Sequence, residues 1–303
     1  MPKTLIVSAA DRNYFAMLAE WVHSIRQFHG PEDYDIGIVD AGLTSDQSTY
    51  LKSQGCLVKQ IDWPCPVPAH KVKGKEYLKG CLCRPHLPEI FPDHDMFVWM
   101  DSDTWAQRGD IIPGFIEAAG KDKIALTAQV DRHYPRQIRI KWLGAIPLKL
   151  RGFYFSNAKR CFGFAKAKEL YPYHVLLAGM FALHRDAPHW KRCAELMAEA
   201  VQKGKVFTAE QLTLGILCYL EGYKKNILPG WMHWLCEFKP LWNEETGKFV
   251  EPYYPHETLG ILHLSGWDEM RVNRALTTDF ETLQGGTAQK SYRYADFDGE
   301  AAL

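Results

Sequence analysis

The chain has 303 residues, enough for one large domain or two small ones, and 47% apolar with 24% charged residues suits a globular protein with a sizeable core. Lysine plus arginine equals aspartate plus glutamate at 36 each, so net charge argues neither for nor against a nucleic-acid partner. No apolar run approaches the roughly 20 residues of a membrane span, which excludes a transmembrane helix, and the opening Met1-Pro2-Lys3-Thr4-Leu5-Ile6-Val7 enters a strand at once, without signal-peptide architecture. The eight cysteines are scattered. Their one close pair, Cys81-Leu82-Cys83, lacks zinc-knuckle spacing, so reduced thiols and a cytoplasmic location are expected.

Lys3–Ala9 alternates into a strand, and Arg12–Phe28 carries Phe15, Leu18, Ala19, Val22 and Ile25 at helical spacing before Gly30-Pro31 stops it. Tyr34–Val39 reads as a second strand. Thr44-Ser45-Asp46-Gln47 reads as a capping box opening a helix that closes at Gly55, and Leu57–Ile61 as a third strand. After a proline-rich turn, Tyr77–Glu89 is expected to be largely helical, with Pro85 placed to shift or break it. Met96–Met100 is an unbroken apolar run, the pattern of a strand buried on both faces. Ile124–Gln129 and Leu177–Leu183 follow as strands, Trp190–Lys203 and Thr208–Leu220 as helices, and Leu283–Leu303 as a polar tail. Strands alternating with helices predict an α/β fold with a mainly parallel central sheet, in one domain over residues 1–282.

The Met96–Met100 strand ends in Asp101-Ser102-Asp103. Residues i and i+2 of extended chain point the same way, so the two carboxylates share one side of the strand end. Open α/β sheets bind ligands beyond those carboxyl ends. Two carboxylates aimed at one point repel unless a cation lies between them; oxygen ligands select Mg²⁺ or Mn²⁺, and such a cation grips a diphosphate. The competing structural role is a loop whose acids cap the next helix.

Several segments in order resemble one family. Ala9-Ala10-Asp11-Arg12-Asn13-Tyr14, Val39-Asp40-Ala41-Gly42-Leu43, Tyr77–Pro92 with Arg84, Ala178-Gly179-Met180-Phe181, Glu210-Gln211 and Leu262-His263-Leu264-Ser265-Gly266 flank the Asp-Ser-Asp strand. Together they resemble a GT-A fold glycosyltransferase, nearest to glycosyltransferase family 8, the retaining α-galactosyl- and α-glucosyltransferases related to glycogenin. The match spans residues 3–270.

The resemblance implies a single Rossmann-like nucleotide-binding domain and transfer of a hexose from a UDP-sugar, with retention; the basic segment 131–175 and the lack of an anchor add the expectation of cell-surface glycan or lipopolysaccharide synthesis. It implies uracil and ribose recognition at Ala9, Asp11, Asn13 and Tyr14, with Asp40 similar; Asp11 and Asp40 have helix or turn capping as their alternative. It implies Mn²⁺ or Mg²⁺ held by Asp101, Asp103 and His263, with Ser102, Arg84, Gly179 and Gly266 around the diphosphate. Gln211 would lie beneath the sugar to stabilise oxocarbenium-like charge, and Glu210 would bond sugar hydroxyls, although Thr208-Ala209-Glu210-Gln211 also reads as a plain capping box. Three positions depart from the family pattern. The diphosphate-binding Lys that follows the His-x-x-Gly motif is missing, the chain reading Gly266-Trp267-Asp268-Glu269 there, which leaves Arg271 or Arg274 as replacements. Leu177 stands where an Asn precedes Ala-Gly, and Gln129 falls at a sugar-binding Asp, with Asp131 near enough to confuse the register.

Asp131–Val175 holds ten Lys or Arg against Asp131 and Glu169, interleaved with aromatics. In family position it borders the acceptor cleft. A glycan, lipid-linked or other anionic acceptor fits it, as does peripheral contact with the inner membrane face; no nucleic acid is expected, since no such motif accompanies it. Two other functions fit an α/β chain with paired acids: a sugar-nucleotide nucleotidyltransferase, disfavoured because Ala-Ala-Asp-Arg replaces a Gly-rich loop after the first strand, and a non-catalytic UDP-sugar-binding protein.

Overall fold

The computed structural model describes residues 2–132, 134 and 138–297; Arg136 of the basic segment and residues 298–303 of the expected tail lie outside the described residues. The strands are β1 (Thr4–Ala10), β2 (Asp35–Asp40), β3 (Cys56–Gln60), β4 (Met96–Met100), β5 (Thr104–Ala106), β6 (Ile124–Ala128), β7 (Arg139–Leu143), β8 (Ile146–Arg151), β9 (Leu176–His184), β10 (Lys225–Leu228) and β11 (His233–Leu235), followed by β12 (Leu241–Asn243), β13 (Lys248–Val250), β14 (Ile261–His263), β15 (Thr278–Glu281) and β16 (Thr287–Lys290). The central seven-stranded sheet runs β10-β6-β9-β4-β1-β2-β3. It is parallel except for β9, which lies antiparallel between β4 and β6. The expected mainly parallel α/β architecture is therefore present.

β4 shows why the sheet is buried on both faces. Phe97 and Trp99 point into one core with Leu5, Val7, Phe181 and Trp190, beneath helices that include His189–Lys203. Val98 and Met100 point into the opposite core with Ile6, Leu18, Trp21 and Phe115, carried by the helices Phe15–Arg26 and Ile111–Ala119. Each large side chain buried this way contributes about 1.5–3 kcal/mol. Among the described residues no helix is long and apolar enough to cross a membrane.

The capping box at Thr44 is present: its hydroxyl accepts from Gln47 N, and Gln47 Oε1 accepts from Thr44 N. Other local expectations need correction. The first helix starts at Phe15 rather than Arg12, because Asp11–Tyr14 forms a turn that places those side chains at the end of β1. Tyr77–Glu89 is not one helix. It breaks into Leu78–Leu82, a 3₁₀ turn at Arg84–His86 and Leu87–Ile90, since Pro85 and Pro88 have no N–H for a continuous ladder. Thr208 makes no capping box; its hydroxyl donates to Asn157 Oδ1, and the helix Ala209–Gly215 runs into a π-helical turn over Ile216–Leu220.

Residues 283–297, polar enough in sequence to read as a tail, instead contribute β16 and then pack against the first helix. Tyr292, Tyr294 and Phe297 are buried, and Arg293 makes a two-pronged ion pair with Glu20, Nη2 to Oε1 at 2.6 Å and Nε to Oε2 at 2.8 Å.

Candidate functional site

The carboxyl ends of β1 and β4 open into a cleft of about 830 Å³. Asp101-Ser102-Asp103 forms the turn between β4 and β5, closed by Thr104, whose N–H and hydroxyl both donate to the Asp101 carbonyl. β5 then pairs antiparallel with β14, which sets Thr104 opposite His263, and Leu264 N donates to the Asp103 carbonyl. This pairing, across 160 residues of chain, carries the imidazole to the acids. His263 Nε2 lies 3.3 Å from Asp103 Oδ1 and 3.9 Å from Asp101 Oδ2.

β11 pairs parallel with β14, so His233 lies beside His263, its Nε2 sharing a 3.0 Å hydrogen bond with His263 Nδ1. Burial and the neighbouring His263 push His233 well below the usual imidazole range. The bond at Nδ1 orients the His263 ring so that Nε2 faces the carboxylates.

Arg84, fully buried, ties the acids to the rest of the floor. Its Nη2 donates to Asp101 Oδ1 at 2.6 Å, and its Nη1 reaches the Ala178 carbonyl at 2.7 Å and Glu210 Oε1 at 2.8 Å. The guanidinium lies 4.4 Å from the Trp99 ring centre, and Trp99 Nε1 donates to the same Asp101 oxygen. Asp103 meets a second guanidinium, Arg271 Nη2 at 2.8 Å.

These contacts separate the carboxyls. Burial raises Asp101 despite Arg84 and His263. Burial acts on Asp103 in the same sense, but His263 and Arg271 outweigh it and hold that carboxyl far below the usual range. Burial pushes Glu210 up to about 8 against the pull of Arg84, and its Oε2, though buried, has no hydrogen-bond partner among the described residues.

The donor set suits a divalent cation. Asp101, Asp103 and His263 each offer a ligand atom, all within 4.8 Å of one another, and two carboxylates with one imidazole match Mn²⁺ or Mg²⁺ chemistry. Space is kept for this group by Gly179, where a Cβ would lie 2.6 Å from His263 Cε1 and 3.0 Å from Asp101 Oδ2. Gly179→Ala is accordingly expected to displace both ligands and weaken cation affinity by roughly tenfold or more, measured by Mn²⁺ titration; unchanged affinity would show that the cradle is not tight.

Of the residues expected from sequence, Ala9, Asp11, Asn13, Tyr14, Arg84, Asp101, Ser102, Asp103, Gln129, Gly179, Glu210, Gln211, His263 and Gly266 all line this cleft. Asp40 does not: its carboxylate accepts from Gly42 N and Leu43 N and caps the turn after β2. Asp11 combines both readings, lining the cleft while accepting from Asn13 N and Tyr14 N. Gln129 lines the cleft, whereas Asp131 is turned to Gly230 N. Arg271 also lines it; Arg274 instead reaches Glu20 and the carbonyls of Tyr294 and Phe297. Sequence reading missed His233, Trp99 and Phe207 as cleft residues, whereas Phe153 belongs to the 131–175 segment expected to border the acceptor cleft. Only His233 carried a signal, a histidine inside an apolar stretch.

Solved structures that share this architecture are glycosyltransferases. The galactosyltransferase LgtC, solved in complex with donor and acceptor sugar analogues, matches at a TM-score of 0.51 and 17% identity, over 87% of this chain and 87% of that one. The bifunctional glycosyltransferase WbbM matches at a TM-score of 0.56 and 14% identity, over 88% of this chain and 46% of that one. Mouse xyloside xylosyltransferase 1 matches at 0.50 and 9% identity, over 88% of this chain and 98% of that one. No protein-family model matches the chain and no curated protein matches it in sequence. The chain therefore has the GT-A glycosyltransferase fold, and its resemblance to family 8 enzymes extends from sequence motifs to three-dimensional structure.

Proposed function

We propose that the protein transfers a hexose from a UDP-sugar to an acceptor hydroxyl with retention at the anomeric carbon, aided by a divalent cation. The observation that carries this reading is the meeting, in one cleft, of the Asp101–Asp103–His263 group with the Asp11–Asn13–Tyr14 turn at the end of the neighbouring strand. The first group suits a diphosphate and the second a base and ribose. In the transfer the bond from the sugar's anomeric carbon to the diphosphate oxygen breaks and UDP leaves. A bond to the acceptor oxygen forms, and the acceptor's hydroxyl proton is released.

Asp101, Asp103 and His263 would hold Mn²⁺ or Mg²⁺, which supplies Lewis-acid neutralisation of the leaving diphosphate. Arg271, at the cleft wall, supplies a positive charge where the family pattern has a lysine. Glu210, which lines the cleft and is raised by burial, suits a hydrogen bond to a sugar hydroxyl. Gln211 offers an amide oxygen to the positive charge that develops at the anomeric carbon. Phe153 and Phe207 each line the cleft and offer rings suited to an acceptor glycan. All eight cysteines are free, seven of them buried, which supports a reducing cytoplasmic setting; cell-surface glycan or lipopolysaccharide assembly is the pathway class we favour.

Calorimetric titration with UDP, with and without Mn²⁺, followed by a donor-hydrolysis screen, tests the reading. Asp11→Ala is expected to weaken UDP by roughly tenfold while leaving pyrophosphate nearly unchanged, because a diphosphate clamp cannot distinguish bases. Equal affinity of the unmodified protein for UDP, GDP and ADP overturns the assignment.

A further inference from the structure

The β7–β8 hairpin is a two-stranded sheet of its own, outside the central sheet. Its register sets Arg139 opposite Arg151 and Lys141 opposite Lys149. Opposed residues share a face, so four cations stand together on one side of the ribbon, and like charges opposed across strands repel. None of the four makes an ion pair among the described residues, and no Asp or Glu occurs in the sequence between Arg132 and Lys168. Ile140 with Leu150 and Trp142 with Pro147 occupy the other side.

The tip is apolar. Trp142-Leu143-Gly144-Ala145-Ile146-Pro147-Leu148 has no charged side chain and is bounded by Lys141 and Lys149. Trp142 is 55% exposed, Leu143 64%, Ile146 63% and Leu148 55%. A lone hairpin is marginal in water, and a contiguous apolar surface of this kind marks a contact site.

We propose that this hairpin docks the protein on an anionic lipid bilayer, with the tip in the interface and the four cations over the lipid phosphates. Three occupants compete, and charge and shape choose between them. A second copy meeting this face by two-fold symmetry would set the four cations against their own duplicates. Single-stranded RNA would pair the cations but bury little of Leu143, Ile146 and Leu148, which offer no ring for a base to stack on. A bilayer surface satisfies both halves at once: aliphatic and tryptophan side chains enter the interface while lysine and arginine reach anionic headgroups. The hairpin joins the body beside the cleft, for Phe153, two residues after β8, and Val175 line both the main cleft and a small cavity at the hairpin base. Docking would thus bring the cleft close to the membrane surface. The proposal does not depend on the transferase reading, since vesicle binding is read without turnover.

The test is sedimentation of the full chain with vesicles of phosphatidylcholine alone and with about 30% phosphatidylglycerol. The native protein is expected to bind the anionic vesicles and to be released by salt. Leu143→Ser with Ile146→Ser, and separately Lys141→Glu with Lys149→Glu, are each expected to weaken binding by roughly tenfold. Both exposed-site variants are expected to keep native circular dichroism, melting temperature and UDP affinity. Quenching by brominated lipid is expected in the native protein and to be reduced in Trp142→Phe. Absence of binding to anionic vesicles, or tip-variant binding equal to native, overturns the proposal. So does a solution dimer that the tip variant dissociates, or RNA binding that is indifferent to the tip.

Discussion

Asp103→Asn is expected to lower donor turnover by about 10²–10³-fold or more and to remove its dependence on Mn²⁺. The substitution keeps the shape of the side chain and deletes its charge. An asparagine oxygen still accepts from Arg271 Nη2, and the bond from Leu264 N is to the Asp103 backbone, so the β4–β5 turn stays in place. What disappears is one of the two carboxylate ligands and the partner that raises the His263 imidazole above its usual range against burial. Chelation of the native protein is expected to reproduce the variant. UDP titration separates binding from chemistry: native affinity rises with added Mn²⁺, and that increment is absent in Asp103→Asn. Full turnover in the variant, or native turnover indifferent to chelator, refutes the cation assignment.

Arg84→Met is expected to cost about 3–5 kcal/mol of stability, because breaking a buried ion pair leaves its partners uncompensated. Here two partners are left, Asp101 and Glu210, together with the Ala178 carbonyl. For a chain of this size that loss lowers the melting temperature by about 10 °C. The pH dependence has a definite sign. Burial sets the Glu210 carboxyl at about 8 in the folded protein, above its ordinary value, so its favourable contribution is complete in acid and is lost as pH rises through about 8. Without Arg84 the buried carboxyls are harder still to ionise, so the deficit of the variant is expected to shrink as pH falls from about 8 towards 5. Glu210→Gln placed on Arg84→Met should recover part of the loss. Melting curves across pH provide the check; a deficit under about 1 kcal/mol, or one that grows in acid, refutes this account.

Features that depend on neighbouring residues alone were legible in the sequence. Met96–Met100 was readable as a strand buried on both faces because five apolar residues in a row have no solvent side, and the acids that end it mark where the sheet opens. The Thr44–Gln47 capping box was readable because both its hydrogen bonds close within four residues. The order of motifs along the chain carried the fold, and all but one of the residues they singled out line one cleft, Asp40 being retained by its own turn. The β7–β8 alternation of apolar and cationic residues, with its period of two, is also written in the sequence.

The rest was decided by contacts between distant segments. Arg271 and Arg274 are indistinguishable by spacing; the turn after β14 sends one to Asp103 and leaves the other on Glu20 and the C-terminal segment. Residues 283–297 read as polar, yet the acid that Arg293 needs is Glu20 on the first helix, so their burial follows from pairing across 273 residues. His263 was a candidate ligand by resemblance alone; the pairing of β5 with β14 is what brings it to the acids, and its ring is oriented by His233 from a third strand. Local sequence encodes periodicity and caps. Which charge meets which is set by how the sheets close, because an ion pair or a ligand set is a property of position in space and not of separation along the chain.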